Sequence, residues 1–348
     1  MSSSVIALLY PRLERFFMHD RLPPTKLIWK PGEGPCPAAS QRLREAFPRP
    51  RQAMGEAWFM SDERKLYRSL LNDTALTASD PELSAAVENL ASGPTCFGPR
   101  AEWTEWLHYL LGRLPALIDD WQTAELFETC VTAVVARYPA GRTEAPYTLF
   151  FDDMLASLGR SLLSDKMWLD GRLVGGKVLS GVEEVSDERE VWACAGGAFS
   201  ASLFLTAKYV ADESLPSWWQ SVVAIDDPIW RADLLLWLAA ASPMFLDPEA
   251  QPADLELPLN YGAGWEWCHC LKGAYPTADE QSTDQHPFLP TSRQQAMVEC
   301  FRDSLSADRL LAWNVALEAA LPRNDASLIV QSQLQEALDR CISVYKLS

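Results

Sequence analysis

The chain has 348 residues, of which 48% are hydrophobic and 22% are charged, and its mean hydropathy is -0.10. These values are typical of a folded globular protein and exclude a wholly disordered chain or one embedded mostly in a membrane. The length suits one large domain or two of ordinary size. The formal net charge of -17 repels phosphate backbones, and the composition therefore disfavours nucleic-acid binding.

Positive charge is concentrated near the N-terminus. Nine basic and four acidic residues lie in Pro11–Arg51, so this segment carries a net charge of +5 and the rest of the chain carries -22. Because prolines recur there, residues 1–55 are interpreted as an irregular, basic, proline-rich arm packed on the body. Residues 56–348 are interpreted as one large helical domain, with a candidate internal boundary near 246–290. The arm either neutralises part of the acidic body, which we favour, or meets a separate anionic partner.

The first half of the chain has mostly helical spacing of its apolar residues. Asp80 is placed as an N-cap of the second helix, with Pro81 as its first residue. The exception is a predicted β-hairpin near 167–182, where Asp170-Gly171 has the signature of a tight turn. The predicted helices are Asp62–Leu71, Pro81–Ala91, Glu102–Leu114, Asp119–Tyr138 and Tyr147–Leu163.

The stretch Val191–Phe245 contains the most hydrophobic residues of the chain. We predict a core pair of helices, joined by an acidic, proline-marked turn, because such residues are hidden from water only in a packed interior. The first apolar run contains glycine, serine, threonine and lysine, and it is therefore interpreted as a buried helix and not as a membrane span. Residues 246–290 follow as a long ordered loop region.

Three helices are predicted at the C-terminal end. A capping box at Ser292 opens the first, which ends at Leu305, and Ser306 caps the second, Ala307–Leu321. The third begins at Asp325 or Ser327 and ends at Tyr345. The predicted fold class is therefore mainly α, an irregular multi-helix bundle or stacked helix pairs, with one small β-hairpin near 167–182.

One pattern is compatible with metal chemistry. The pairs Glu105/His108 and Glu266/His269 each place a histidine three residues after a glutamate, which is the arrangement in the di-iron carboxylate sites of helical bundles. The further carboxylates that such a site needs are available at Glu88, Glu125 or Glu128. The chain lacks the glycine-rich phosphate loop, the nucleophile elbow and the zinc-protease motif. The alternative function is therefore an iron-dependent oxidoreductase.

Aromatic residues in predicted connections favour a binding protein. Exposed tryptophans on an acidic surface suit a basic protein partner, since charge steers the encounter and the rings supply contact energy. The predicted function is a cytoplasmic protein without a required cofactor, such as a bacterial immunity or inhibitor protein that neutralises a basic partner. A scaffold subunit of a larger assembly is a further alternative. The candidate partner-binding residues are Trp218, Trp219, Asp226, Asp227, Trp265 and Trp267.

Overall fold

The computed structural model describes residues 27–57, 59–72, 76–92, 100–118, 123–173, 197–256, 262–271, 287–320 and 325–348. The mainly α fold class with one small hairpin is confirmed. The α-helices of this part are α1 (Pro37–Ala46), α2 (Pro81–Ser92), α3 (Arg100–Leu111), α4 (Ala124–Arg137), α5 (Phe150–Ala156), α6 (Gly197–Tyr209), α7 (Leu215–Ala224), α8 (Pro228–Ala240), α9 (Ser242–Leu246), α10 (Thr291–Ser304), α11 (Ala307–Ala320) and α12 (Asp325–Tyr345). Short 3₁₀ helices occupy Ser61–Lys65, Ser69–Leu71, Leu114–Ala116, Gly141–Glu144, Leu158–Leu163, Asp212–Ser214, Pro252–Glu256 and Cys268–Leu271.

The hairpin consists of β1 (Trp168–Leu169) and β2 (Arg172–Leu173), which pair antiparallel. Its two turn residues have positive φ angles, 50° at Asp170 and 74° at Gly171. Two consecutive positive φ values define the type I′ turn that Asp-Gly favours. The prediction of a tight hairpin is thus confirmed for these residues, and its continuation to residue 182 lies outside the described part.

The proline-rich segment is more ordered than its composition suggests. Helix α1 starts at Pro37, because a proline in the first helical position loses no intrahelical hydrogen bond. Leu43 of α1 is buried against the body, and so is Trp29 upstream. The prediction of an irregular arm is therefore wrong for Pro37–Ala46. Residues 1–26 lie outside the described part, and the proposed boundary near residue 55 remains a prediction.

The body is built from packed helix pairs. Helix α1 lies on α5, α2 on α4, and α4 on α6, while α8 packs against both α11 and α12. Buried side chains from residue 27 to residue 347 form a single hydrophobic cluster. Trp230 of α8 contacts the aromatic rings of Trp29, Trp168 and Phe199, with ring centroids 4.9–6.1 Å apart. The N-terminal segment, the hairpin, α6 and α8 therefore share one aromatic core.

Some predicted helix boundaries hold and others do not. The Asp80 carboxylate accepts from the backbone N–H of Glu82, and the Ser306 hydroxyl accepts from that of Arg309, which confirms both caps. The Ser292 capping box is wrong, because Pro290 occupies the N-cap position and no side chain caps α10. The predicted helix Asp62–Leu71 consists of two 3₁₀ turns, and α5 is continued by 3₁₀ structure.

The Val191–Phe245 stretch contains more than a helix pair. Its described part forms α6, α7, α8 and α9, and the segment with the tandem tryptophans is itself a helix. In the described ranges, we find no helix that is both long enough and apolar enough to span a bilayer.

Candidate functional site

The expectation that the tandem tryptophans lie in an exposed connection is wrong. Trp218 and Trp219 belong to α7, and each ring has an exposed fraction of 0%. The indole N–H of Trp219 donates to the hydroxyl of Ser304 at 2.8 Å. Helix α7 packs on α10, and the ring of Trp29 packs against that of Trp218. Neither tryptophan ring is therefore accessible to a partner in this conformation.

The neighbouring aspartates have different environments. Asp227 is buried, with 3% exposed, and its Oδ1 accepts from the backbone N–H groups of Ile229 and Trp230 at 2.9 and 3.0 Å. It is therefore the N-cap of α8, a structural role. The side chain of Asp226 is exposed and pairs with Arg231 at 2.8 Å. Of this pair, only Asp226 is available at the surface, and its binding role remains a prediction.

Trp265 is buried and anchors the loop that carries Trp267. Its indole N–H donates to Thr132 Oγ1 at 2.9 Å, and this hydroxyl donates to the Glu266 carbonyl, also at 2.9 Å. One turn earlier on α4, Glu128 Oε2 accepts from the Glu266 backbone N–H at 2.8 Å. Both backbone groups of Glu266 are thus held by α4, so the loop has a defined position on the surface.

Trp267 follows this anchor in an uncommon backbone conformation. Its φ is 63°, in the left-handed region that a bulky side chain adopts only at a cost of about 1–3 kcal/mol. The ring is partly exposed. The exposed imidazole of His269 stacks on it, with ring centroids 5.8 Å apart and an interplanar angle of 27°. Such strain persists only where surrounding contacts fix the chain, and here those contacts are the hydrogen bonds to Glu266.

One glutamate of this loop and two glutamates of neighbouring helices influence one another electrostatically. Glu125 and Glu266 are exposed, and Glu88 is partly exposed. None of the three forms an ion pair among the residues that the structure describes. Burial raises the pKa of Glu88, and the negative charges of Glu125 and Glu266 raise it further. We define the Trp267 patch as Glu88, Glu125, Glu266, Trp267 and His269.

Glu128 lies beneath the Trp267 patch and has only 8% of its surface exposed. Burial raises its pKa to about 7, although the backbone N–H groups of Glu266 and Ala198 oppose the rise, and the charges of Glu266 and Glu125 add to it. A Cβ atom on Gly197 would lie 2.2 Å from Glu128 Oε2. Gly197 therefore permits the carboxylate to approach the first turn of α6, whose N-terminus favours negative charge.

The predicted iron ligands do not share one environment. Glu105 is exposed, whereas His108 is buried and its Nε2 is hydrogen-bonded to the Tyr138 hydroxyl. Burial lowers the pKa of His108 to about 3, with a smaller effect from Arg137. Throughout the described ranges, no group of three or more His, Cys, Asp or Glu residues is arranged to hold a metal ion. The iron-dependent alternative therefore remains a prediction without support from the described geometry.

A buried carboxyl without hydrogen bonds lies outside the patch. Asp233 of α8 has an exposed fraction of 0%, and neither of its oxygens has a hydrogen-bond partner in the described part of the chain. Burial raises its pKa well above the usual value, and the charge of Asp227 acts in the same direction. A buried carboxyl without a hydrogen-bond partner is an unfavourable core residue, and it marks α8 as a place where stability is reduced.

Comparisons with protein-family models, curated proteins and solved structures find no match to this chain. The geometry of the Trp267 patch is therefore the main guide to function. Glu266, Trp267 and His269 were recognisable from the sequence as a charged and aromatic loop. Glu88 and Glu125 were recognisable only as carboxylates for a metal site, because no local pattern relates them to a loop more than 100 residues away.

Proposed function

We propose that this protein acts by binding a basic protein partner, and that the Trp267 patch is the contact surface. The proposal is supported mainly by a partly exposed, conformationally strained tryptophan next to Glu266, which together with Glu88 and Glu125 forms no ion pair among the described residues. Tryptophan is the residue type most enriched among those that dominate interface energies. An inhibitor or immunity protein that masks a basic partner is the functional class we favour.

The charge distribution supports this partner chemistry. Burial raises the pKa of Glu88, and repulsion by the negative charges of Glu125 and Glu266 raises it further. A cation placed between them relieves this repulsion and forms new charge-assisted contacts. The net charge of -17 also attracts a basic protein at long range and accelerates its association.

The fixed position of the loop supports binding as well. Ordering a mobile loop costs about 0.5–1.5 kcal/mol for each immobilised side chain, and this cost is subtracted from the affinity. Here the backbone of Glu266 is already held by Glu128 and Thr132, and Ser200 Oγ donates to the Ala263 carbonyl. The loop therefore presents Trp267 to a partner at little further entropic cost.

Affinity capture with matched charge variants tests the proposal. The patch variant replaces Glu88, Glu125 and Glu266 with glutamine. The control variant makes the same replacement at Glu63, Glu213 and Glu299, which are exposed elsewhere. Both variants lose three negative charges, so any effect of net charge alone is common to them.

We expect wild type and the control variant to retain one basic protein from a lysate of the native host in stoichiometric amount, and the patch variant to lose most of it. Rim charges of this kind contribute to affinity roughly additively, and three of them together account for about a tenfold change. Equal recovery of every captured protein by the patch and control variants would refute the assignment of this surface.

A further inference from the structure

One face of the partly exposed Trp267 ring is stacked against a flat polar group. His269 is exposed, and its ring lies over the indole at 27° with a centroid distance of 5.8 Å. His269 makes no hydrogen bond within the described residues. A loose aromatic stack at the surface contributes about 0.5–1.5 kcal/mol at most. The imidazole is therefore displaced easily by a planar group that binds the indole better.

The surroundings of this face select the charge of the incoming group. Glu266 precedes Trp267 directly, and Glu88 and Glu125 lie close enough to influence one another electrostatically. A cation over the face of an indole gains attraction from the ring quadrupole, and tryptophan is the best aromatic residue for this contact. The patch therefore offers an aromatic face and free carboxylates for the same positive group.

Guanidinium fits these two features better than ammonium does. It is planar, it is weakly hydrated, and it stacks on aromatic faces while its fork of N–H donors pairs with a carboxylate at two points. A lysine ammonium is a compact and strongly hydrated charge, so it gains less from stacking. The flat indole of Trp267 and the carboxylate of the adjacent residue Glu266 therefore both favour arginine.

We propose that the partner presents an arginine side chain whose guanidinium takes the place of His269 on the Trp267 ring and pairs with the carboxylate of Glu266. This inference rests on the proposed function and names the chemical group that the Trp267 patch recognises. His269 then acts as a mobile cover of the binding face, and its removal exposes the ring without changing the charge of the glutamates.

Blocked peptides in which glycine alternates with arginine, lysine or citrulline provide the probes. Calorimetric titration into wild type at moderate ionic strength is expected to show the arginine peptide binding about five- to tenfold more tightly than the lysine peptide. Citrulline keeps the planar shape but lacks the charge, so its peptide is expected to bind about tenfold or more weakly than the arginine peptide.

Two substitutions test the contributions of the Trp267 ring and of the His269 cover to arginine binding. Trp267→Phe is expected to reduce the preference for arginine over lysine to about twofold or less, because a phenyl ring attracts cations less strongly than an indole. His269→Ala is expected to preserve that preference and to tighten arginine binding by about two- to threefold, because the cover is removed. The phenylalanine substitution keeps an aromatic ring on the core, and circular dichroism before titration checks that each variant is folded.

The outcomes distinguish the two proposals. Equal affinity of wild type for the arginine and lysine peptides, or an arginine preference unchanged in Trp267→Phe, would overturn the arginine inference while leaving a basic-partner surface in place. Failure of both charged peptides to bind wild type would overturn the proposed function together with the inference.

Discussion

Replacing Asp233 with asparagine is expected to remove a pH-dependent loss of stability. In the wild type, the Asp233 carboxyl is completely buried and has no hydrogen-bond partner among the described residues. Its charged form is therefore strongly disfavoured in the native state, and its pKa is raised well above the usual value. In the unfolded chain the same carboxyl is hydrated and ionises normally.

The direction of this pKa change determines whether the free energy of unfolding rises or falls with pH. Between the unfolded pKa of about 3.9 and the higher native pKa, the native state binds more protons than the unfolded state. The free energy of unfolding therefore falls as pH rises, by about 1.4 kcal/mol per pH unit from this one group. Asparagine does not titrate, and its unsatisfied amide has a cost of about 1–3 kcal/mol that does not depend on pH.

Urea unfolding followed by tryptophan fluorescence measures this effect. We expect the stability of Asp233→Asn relative to wild type to increase by about 1.4 kcal/mol for each pH unit between about 4 and the raised native pKa of Asp233. Asp303→Asn is the matched control, because Asp303 is exposed on α10 and its replacement is expected to change stability by about 0.5 kcal/mol or less. A difference between Asp233→Asn and wild type that stays constant from about pH 4 to about pH 7 would refute the reasoning.

Three further substitutions test the packing around the site and the fold. Gly197→Ala places a Cβ atom against the Glu128 carboxylate and is expected to lower the free energy of unfolding by about 1–3 kcal/mol in urea titrations; wild-type stability would contradict the packing. Asp153→Ala removes a buried carboxylate that accepts two hydrogen bonds from Arg42. Calorimetry is expected to show that the free energy of unfolding falls by about 3 kcal/mol. A decrease below about 1 kcal/mol would indicate an ion pair that is screened by solvent. Gly171→Ala introduces a side chain at a φ of 74°, and a decrease of about 1 kcal/mol is expected in the same assay; no decrease would contradict the type I′ turn.

Local chemistry made much of the fold predictable. Asp80 and Ser306 cap helices because their side chains satisfy backbone N–H groups within three residues, and the sequence alone shows that spacing. Asp170-Gly171 forms the predicted turn for the same reason, since its conformation depends on two adjacent residues. Leu334, Leu338, Cys341 and Tyr345 recur in the sequence at the spacing of one helical face, and all four are buried on α12.

Tertiary packing decided the features that the sequence did not reveal. Trp218 and Trp219 follow an acidic, proline-marked segment and resemble a surface anchor, yet α10 and the N-terminal Trp29 cover them. The Glu-x-x-His spacing singled out Glu266 and His269, whereas Glu88, Glu125 and Glu128 were recognisable only as carboxylates for a metal site. The neighbours of that loop come from α2 and α4, and no local pattern specifies contacts at such a separation.

The affinity of a captured basic partner for Trp267→Ala, compared with its affinity for wild type, tests directly whether the Trp267 patch is the binding surface. Met60→Ala is the control, because Met60 is a well-exposed apolar side chain outside the Trp267 patch. We expect Trp267→Ala to weaken binding by about 2 kcal/mol, or about thirtyfold, as truncation of a central interface residue does. The same measurement is expected to give wild-type affinity for Met60→Ala. An unchanged affinity for Trp267→Ala would contradict the assignment of the Trp267 patch as the binding surface.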